Sequence, residues 1–207
     1  MAFLNRGLHM NVLITGNLTE FENNLAEVFT REGYKVFTQD EARELGIPRL
    51  DYLIDTTDNR DEADRFTLDE GFGGEAVERV FRGNVLRSMA LLETFLPLLD
   101  KGEGKRLVYL SSAEASINAT RAVKSFGYNM SKAALHQFIQ LTRNKLAPKG
   151  YTFRVFDPMA GEVTPQAAAE SAYNYITRRR GTENHDPLRD DEENMVMRDA
   201  MGRQYAW

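Results

Sequence analysis

The apolar positions along the chain follow two alternating patterns. Short, continuously apolar runs end at glycine, proline or a polar residue. Between them lie longer stretches whose apolar residues recur every three to four positions, the spacing of a helix face. The first run, Asn11–Thr15 (NVLIT), stops at Gly16 and predicts a buried strand. A helix follows, with Thr19 as its cap, Leu25, Val28 and Phe29 on its inner face and Gly33 at its end. Residues 34–38 (YKVFT) predict a second strand, residues 40–45 at most two helical turns closed by Gly46 and Pro48, and residues 51–55 (DYLID) a third strand. The acidic, glycine-bearing stretch 56–74 is long for a connection, which suits either a functional or mobile segment or a solvated linker.

Residues 75–99 predict one long helix that is apolar on two faces, one for the sheet and one for another subunit. Residues 107–110 (LVYL) predict a strand ending at Ser111-Ser112. The helix that carries Tyr128 comes next and ends near Pro148-Lys149-Gly150. Residues 152–156 (TFRVF) predict a strand ending at Asp157-Pro158. Thr164-Pro165, a capping hydroxyl followed by proline, opens a helix to about Arg180. Residues 194–198 (NMVMR) predict a last short strand, and no internal repeat is present. Short apolar strands alternating with helices predict an α/β fold, a doubly wound parallel sheet covered on both faces. Ligands in such folds bind at the carboxyl ends of the strands, where Gly16, Asp55, Ser112, Tyr128 and Pro158 fall.

Composition narrows the function classes. A length of 207 residues suits one domain over residues 10–207, with residues 1–9 an extension and Met10 the natural start. A formal net charge of -5 argues against a nucleic-acid or anionic-membrane partner. Arg178-Arg179-Arg180, the one dense basic run, precedes Gly181 and reads as the cationic end of a helix. With no cysteine, disulfides and thiolate chemistry are excluded. His9, His136 and His185 show no metal-ligand spacing. No apolar run is long enough to span a bilayer and the first residues lack a signal-peptide core, so a cytoplasmic protein is expected.

The candidate chemistry centres on Tyr128 and Lys132, which lie one turn apart on one helix face. Bringing a tyrosine from its usual value of about 10 to neutrality takes roughly 4 kcal/mol. One positive charge at about 5 Å, with an effective dielectric of about 20, supplies roughly 3 kcal/mol of this. Lys132 is therefore expected to lower the Tyr128 pKa and ready it as an acid or base on a carbonyl or alcohol.

With these residues in place, the chain resembles the short-chain dehydrogenase/reductase family from Asn11 onward. Tyr128 and Lys132 match its YxxxK motif, and LVYLSS matches the strand ending in its catalytic serine, here Ser112. FRGNVL matches the helix carrying its catalytic asparagine, here Asn84, and the tail ending in Ala206-Trp207 looks like that of short members. The resemblance implies a Rossmann-like fold and hydride transfer between NAD(H) and a small carbonyl or alcohol substrate. It casts Tyr128 as general acid/base, Lys132 as ribose ligand, Ser112 as donor to the substrate oxygen and Asn84 as holder of a relay water. Thr15, Gly16, Asp40, Lys132 and Pro158 would bind the cofactor. Asp40, 24 residues after Gly16, would take the adenosine ribose and favour NAD(H) over NADP(H); alternatively it caps the short helix. The family also pairs the helices 75–99 and 128–147 between subunits, which implies a homodimer or homotetramer.

The chain departs from the family at the cofactor. The second and third glycines of the first βα turn are replaced by Glu20 and Glu22. A carboxylate about 5 Å from a phosphate costs about 3 kcal/mol at a dielectric of about 20, roughly a hundredfold in affinity. The stretch from Gly16 to Asp55 is too short for the usual further helix and strand, so one edge strand on the adenine side is expected to be missing. Asp55-Thr56-Thr57-Asp58 stands where the family has Asn-Asn-Ala-Gly, and the short span from Pro158 to Pro165 predicts an open site. Two functions remain in play: the oxidoreductase, and a relative that has lost dinucleotide binding and serves as a dimeric scaffold or small-molecule sensor.

Overall fold

A computed structural model describes residues 10–16, 19–71, 73–178 and 195–205. The sequence-based expectations for residues 1–9, His185, Arg179-Arg180-Gly181, Asn194 and Ala206-Trp207 lie outside the described residues. Seven strands form one sheet: β1 (Asn11–Thr15), β2 (Lys35–Phe37), β3 (Tyr52–Asp55), β4 (Arg106–Leu110), β5 (Thr152–Asp157), β6 (Met197–Asp199) and β7 (Gln204–Tyr205). Their spatial order is β2-β1-β3-β4-β5-β6-β7, parallel throughout except for the β6–β7 pair. Among the described residues one strand lies outside β1 where a full dinucleotide fold has two, in line with the expected loss of an edge strand.

The alternation of side chains along each strand builds two cores. Leu13, Leu53, Leu107 and Val155 point to one face, against Leu91, Phe95 and Leu99 of α4 (Arg87–Leu99) and Leu135 and Ile139 of α5 (Phe126–Leu146). Val12, Ile14, Ile54, Val108 and Phe156 point to the other, against Leu25 and Phe29 of α1 (Glu20–Arg31) and Ala168 and Ala172 of α6 (Pro165–Thr177). The short α2 (Gln39–Glu44) follows β2.

Four details differ from the sequence expectation. The helix over 75–99 is three pieces: α3 (Gly74–Phe81), a π-helical stretch Arg82–Leu86, and α4. Periodicity does not register the extra residue that a π-turn inserts, and such turns concentrate at functional sites. The last parallel strand is displaced to Met197–Asp199, because its register is set by pairing with β5. At the end of α6, where Arg178 is the described member of the basic run, further cations come from β4 and β5. Arg154 donates to the carbonyls of Tyr175 at 3.3 Å and Arg178 at 3.2 Å, and Arg106 to Arg178 at 3.0 Å. Asp40 sits in the first turn of α2 and is exposed; Thr38 is the cap, its hydroxyl accepting from Glu41 N and its own N–H donating to the Glu41 carboxylate.

Candidate active site

The strand order reverses between β1 and β3, and the crevice opens there at their carboxyl ends. A cleft of about 550 Å³ lies above this point, within the range of small-molecule sites. Its wall includes Thr19, Glu20, Glu22, Thr56, Asp58, Leu110 and the segment after Pro158. At the end of β1 the buried Thr15 hydroxyl donates to Asp55 Oδ1 at 3.2 Å. Gly16 follows with a left-handed φ of 123°, and a Cβ there would collide with the Thr56 side chain.

Tyr128 is fixed by a partner remote in sequence. The buried Asp64 carboxylate accepts from the backbone N–H of Gly127 at 2.8 Å and of Tyr128 at 2.7 Å, and so caps α5. The local cap residue, Ser125, is left-handed at φ 57° and offers no side-chain bond. Asn84, at the middle of the π-helical stretch, is fully buried. Its amide donates to Asn59 O and Ser131 Oγ, both at 2.9 Å, and its oxygen accepts from Asn59 N at 2.7 Å. The asparagine therefore ties the loop after β3 to α5. In this arrangement its side chain anchors protein groups.

Tyr128 and Lys132 lie together as the spacing requires, with Lys132 Nζ 5.7 Å from the phenol ring. Neither faces open solvent: Tyr128 is 2% exposed and Lys132 0%. Lys132 Nζ donates to Thr57 O at 2.8 Å and Leu110 O at 3.4 Å, and pairs with Asp58 Oδ1 at 3.0 Å. The Tyr128 hydroxyl donates to Asp58 Oδ1 at 2.8 Å and accepts from Arg60 Nη2 at 2.7 Å. The Arg60 guanidinium carbon also stacks 3.8 Å over the ring.

These contacts overturn the expected lowering of the Tyr128 pKa. Burial and then the Asp58 carboxylate push it well above its ordinary value, against the pull of Arg60. The ammonium is not free to act on the phenol, because Asp58 stands between them. The Asp58 carboxyl is held below its ordinary range: burial opposes this, but Lys132 and Arg60 outweigh it. The open site expected from the short 158–165 span is corrected as well. That span does line the cleft, yet the loop after β3 closes over the phenol.

Ser112 caps the turn Ala113–Ala115, accepting from Glu114 N at 3.2 Å, and does not bond the Tyr128 hydroxyl. Ser111 is buried and bonds His136 Nε2 at 2.7 Å. Burial and then Lys132 press the His136 ring down to about 4, so it is neutral at pH 7. Asp157 accepts from Ala113 N and Met159 N, both at 2.8 Å, and so joins the loops after β4 and β5 beside Pro158. In the sequence Asp58 stands out only as part of the departure at residues 55–58, and Arg60 and Asp64 do not stand out at all. Their partners lie 63 to 70 residues away, and no local pattern announces them.

The residues present fit the nicotinamide–ribose end of a dinucleotide better than its pyrophosphate. Tyr128 and Lys132 supply a phenol and an ammonium at the switch point. At the α1 end, the Glu22 carboxylate already accepts from Thr19 N at 2.9 Å and from the Thr19 hydroxyl. A phosphate there needs Glu22 and Glu20 turned outward. Among the described residues no cluster of histidine and carboxylate side chains could hold a metal, and no helix is long and apolar enough to cross a membrane.

A sheet of this order with a Tyr–Lys pair at its carboxyl edge defines a class, and comparison with known proteins agrees with it. The chain is 25% identical over 160 residues to the short-chain dehydrogenase/reductase iacC of Pestalotiopsis fici, covering 73% of this chain and 55% of that protein. It is 32% identical over 91 residues to an oxidoreductase of Schizosaccharomyces pombe, covering 44% of this chain and 35% of that protein. The matches thus span only part of these curated relatives. A carbonyl reductase from Pseudomonas aeruginosa PAO1 in complex with NADP superposes with a TM-score of 0.70 at 16% identity, over 96% of this chain and 100% of that one. A short-chain dehydrogenase/reductase family oxidoreductase from Brucella ovis, with a partially ordered NAD, superposes with a TM-score of 0.60 at 16% identity, over 82% and 94%. No family model matches the chain. The chain is similar in sequence to these short-chain dehydrogenase/reductase and oxidoreductase proteins and has the fold of the solved structures.

Proposed function

We propose that the protein is an oxidoreductase that moves a hydride between a nicotinamide dinucleotide and a small carbonyl or alcohol substrate. The observation that carries this reading is the placement of Tyr128 and Lys132, buried together at the switch point beside the cleft and anchored by Asp64 and Asn84. The dinucleotide, when bound, supplies the hydride donor or acceptor. Tyr128 is the proton donor to a carbonyl oxygen, and its raised pKa keeps that proton in place at neutral pH. Lys132 orients the ribose, and Thr15, Gly16 and Pro158 line the cofactor's path. Ser112 accepts from Glu114 N in its turn and keeps its hydroxyl proton to donate to the substrate oxygen, and Asn84 serves by holding the loop after β3. Asp40, exposed just beyond β2, supports NAD(H) over NADP(H), since a carboxylate there repels a 2′-phosphate.

Exposed Leu86, Met89, Met130 and Leu141 support pairing of the helices 75–99 and 128–147 with those of a second copy, and a monomeric mass in light scattering contradicts it. The net charge of -5 and the lack of cysteine support a cytoplasmic enzyme without a nucleic-acid or membrane partner. The scaffold or sensor reading draws on Glu20, Glu22 and the missing adenine-side strand, and side-chain rotation can relieve the first two. The deciding experiment is Tyr128→Phe. Turnover of a carbonyl panel with NADH is expected to fall by about a hundred- to ten-thousandfold while NADH affinity stays within about threefold. Retained turnover removes Tyr128 from its role.

A further inference from the structure

The atoms of Tyr128 and Lys132 that a ligand needs are occupied by the chain itself. A phenol has one proton to donate and an ammonium three. The phenol proton goes to Asp58 Oδ1 at 2.8 Å, and the ammonium contacts are Thr57 O, Leu110 O and the same Asp58 oxygen. Arg60 fills the acceptor side of the hydroxyl at 2.7 Å and covers the ring at 3.8 Å. Neither group has capacity left for a carbonyl oxygen or a ribose hydroxyl.

Asp58 and Arg60 flank Asn59, whose N–H and C=O are both bonded to the Asn84 side chain. The backbone between the two residues is thereby pinned, and their side chains are the parts free to turn. Both lie on the solvent side of the phenol, with side chains 40% and 57% exposed, so rotation outward opens no core. Their bonds to one another and to Glu114 are long, at 3.4 and 3.7 Å. Asp58 also lines the cleft, so its carboxylate borders the space a ligand would enter.

We propose that Asp58 and Arg60 form an internal stopper, whose side chains hold the ligand-facing atoms of Tyr128 and Lys132 until an incoming oxygen displaces the Asp58 carboxylate. The proposal rests on the roles given above to Tyr128 and Lys132. It makes Asp58 the residue that sets how tightly those two groups take a ligand. Asp58 also governs the protonation of Tyr128. The charged groups facing the phenol are Asp58 and Arg60 from the loop after β3, Glu114 from the turn after β4, and Lys132 from its own helix. Removing the Asp58 charge leaves two cations against one more distant carboxylate, and the phenol proton is then released more easily.

Ultraviolet difference titration of tyrosine ionisation tests the stopper without any assay of turnover. In the native protein no tyrosine assigned to position 128 ionises below about pH 10. In Asp58→Asn one tyrosine does, and the signal vanishes in the Asp58→Asn/Tyr128→Phe double variant. Asp58→Glu, which restores the carboxylate, returns toward the native curve. NADH affinity, read by nicotinamide fluorescence, tightens about ten- to a hundredfold in Asp58→Asn, the value of one hydrogen bond to a charged group. Arg60→Ala tightens it less, because Asp58 keeps its bonds to Tyr128 and Lys132. A native Tyr128 that ionises below about pH 10, an unshifted titration in Asp58→Asn, or NADH binding that is measurable but no tighter in that variant overturns the stopper. If the titration shifts as expected but no variant binds NADH, the stopper stands and the oxidoreductase reading fails.

Discussion

Two aspartates flank β3, and they are held in opposite ways. Asp51, just before the strand, is wholly buried. Its carboxylate accepts from the backbone N–H groups of Asn11 at 2.9 Å, Glu103 at 2.8 Å and Gly104 at 3.1 Å. Asp58, beyond the other end, is held by the side chains of Tyr128, Lys132 and Arg60. Backbone donors cannot turn away without moving the chain that carries them, here β1 at Asn11 and the bend before β4 at Glu103 and Gly104. Side-chain donors can exchange one acceptor for another by rotation. The amino edge of the sheet therefore uses a carboxylate as architecture, and the carboxyl edge uses one as a replaceable occupant. That contrast gives a physical reason for chemistry to sit at the carboxyl edge of this molecule.

The largest expected effect tests the fixed end. Asp51→Ala strands three backbone N–H groups and should cost about 3–5 kcal/mol of stability, read as the urea midpoint at pH 7. A loss below about 1 kcal/mol breaks the comparison, because Asp51 would then be as replaceable as Asp58.

A smaller effect probes the rigid floor beneath the exchangeable end. His136 lies one turn beyond Lys132, and its pKa is about 4, against 6.5 for a free ring, through burial first and then Lys132. Between these values the unfolded chain binds a proton that the folded chain does not, so stability rises with pH across the window and is lost on acidification. The full contribution is about 3 kcal/mol, present above the unfolded value. His136→Gln should keep a partner for Ser111 and flatten the dependence of urea stability between pH 7 and pH 4.5. Equal slopes in the two proteins would mean that the ring is charged in the fold.

Glu22 falls between the two aspartates, since its carboxylate holds one backbone N–H and one hydroxyl, both of Thr19. Glu22→Gln retains a capping acceptor and removes the charge. Stability should stay within about 1 kcal/mol, while NADH binding tightens up to about tenfold. Fluorescence titration reads the second number. Unchanged affinity would place the pyrophosphate away from the start of α1.

Much of the scaffold was legible because burial leaves a local trace. Continuous apolar runs marked β1, β3, β4 and β5, and Thr164-Pro165 marked the start of α6, whose Thr164 hydroxyl does accept from Ala167 N at 3.3 Å. The shortness of residues 40–50 revealed the missing edge strand. The π-helical stretch at Asn84 was not legible, since its apolar spacing reads as an ordinary helix. Ser112 was matched by position, and only the turn it caps shows how its hydroxyl is used. Asp40 read as a strand-end acid because β2 and α2 abut, whereas Thr38 takes the cap.

By itself the sequence determined the order of elements, the two-faced sheet and the pairing of Tyr128 with Lys132, because all three follow from residue spacing along a helix or strand. What surrounds that pair was decided by the tertiary structure alone. Asp58 and Arg60 meet Tyr128 across 70 and 68 residues of chain, and Asp64 caps its helix across 64. Contacts of this kind act over about 3 Å and depend on where a loop comes to rest. A periodic pattern records which face is buried, and it carries no record of which charge is buried beside it.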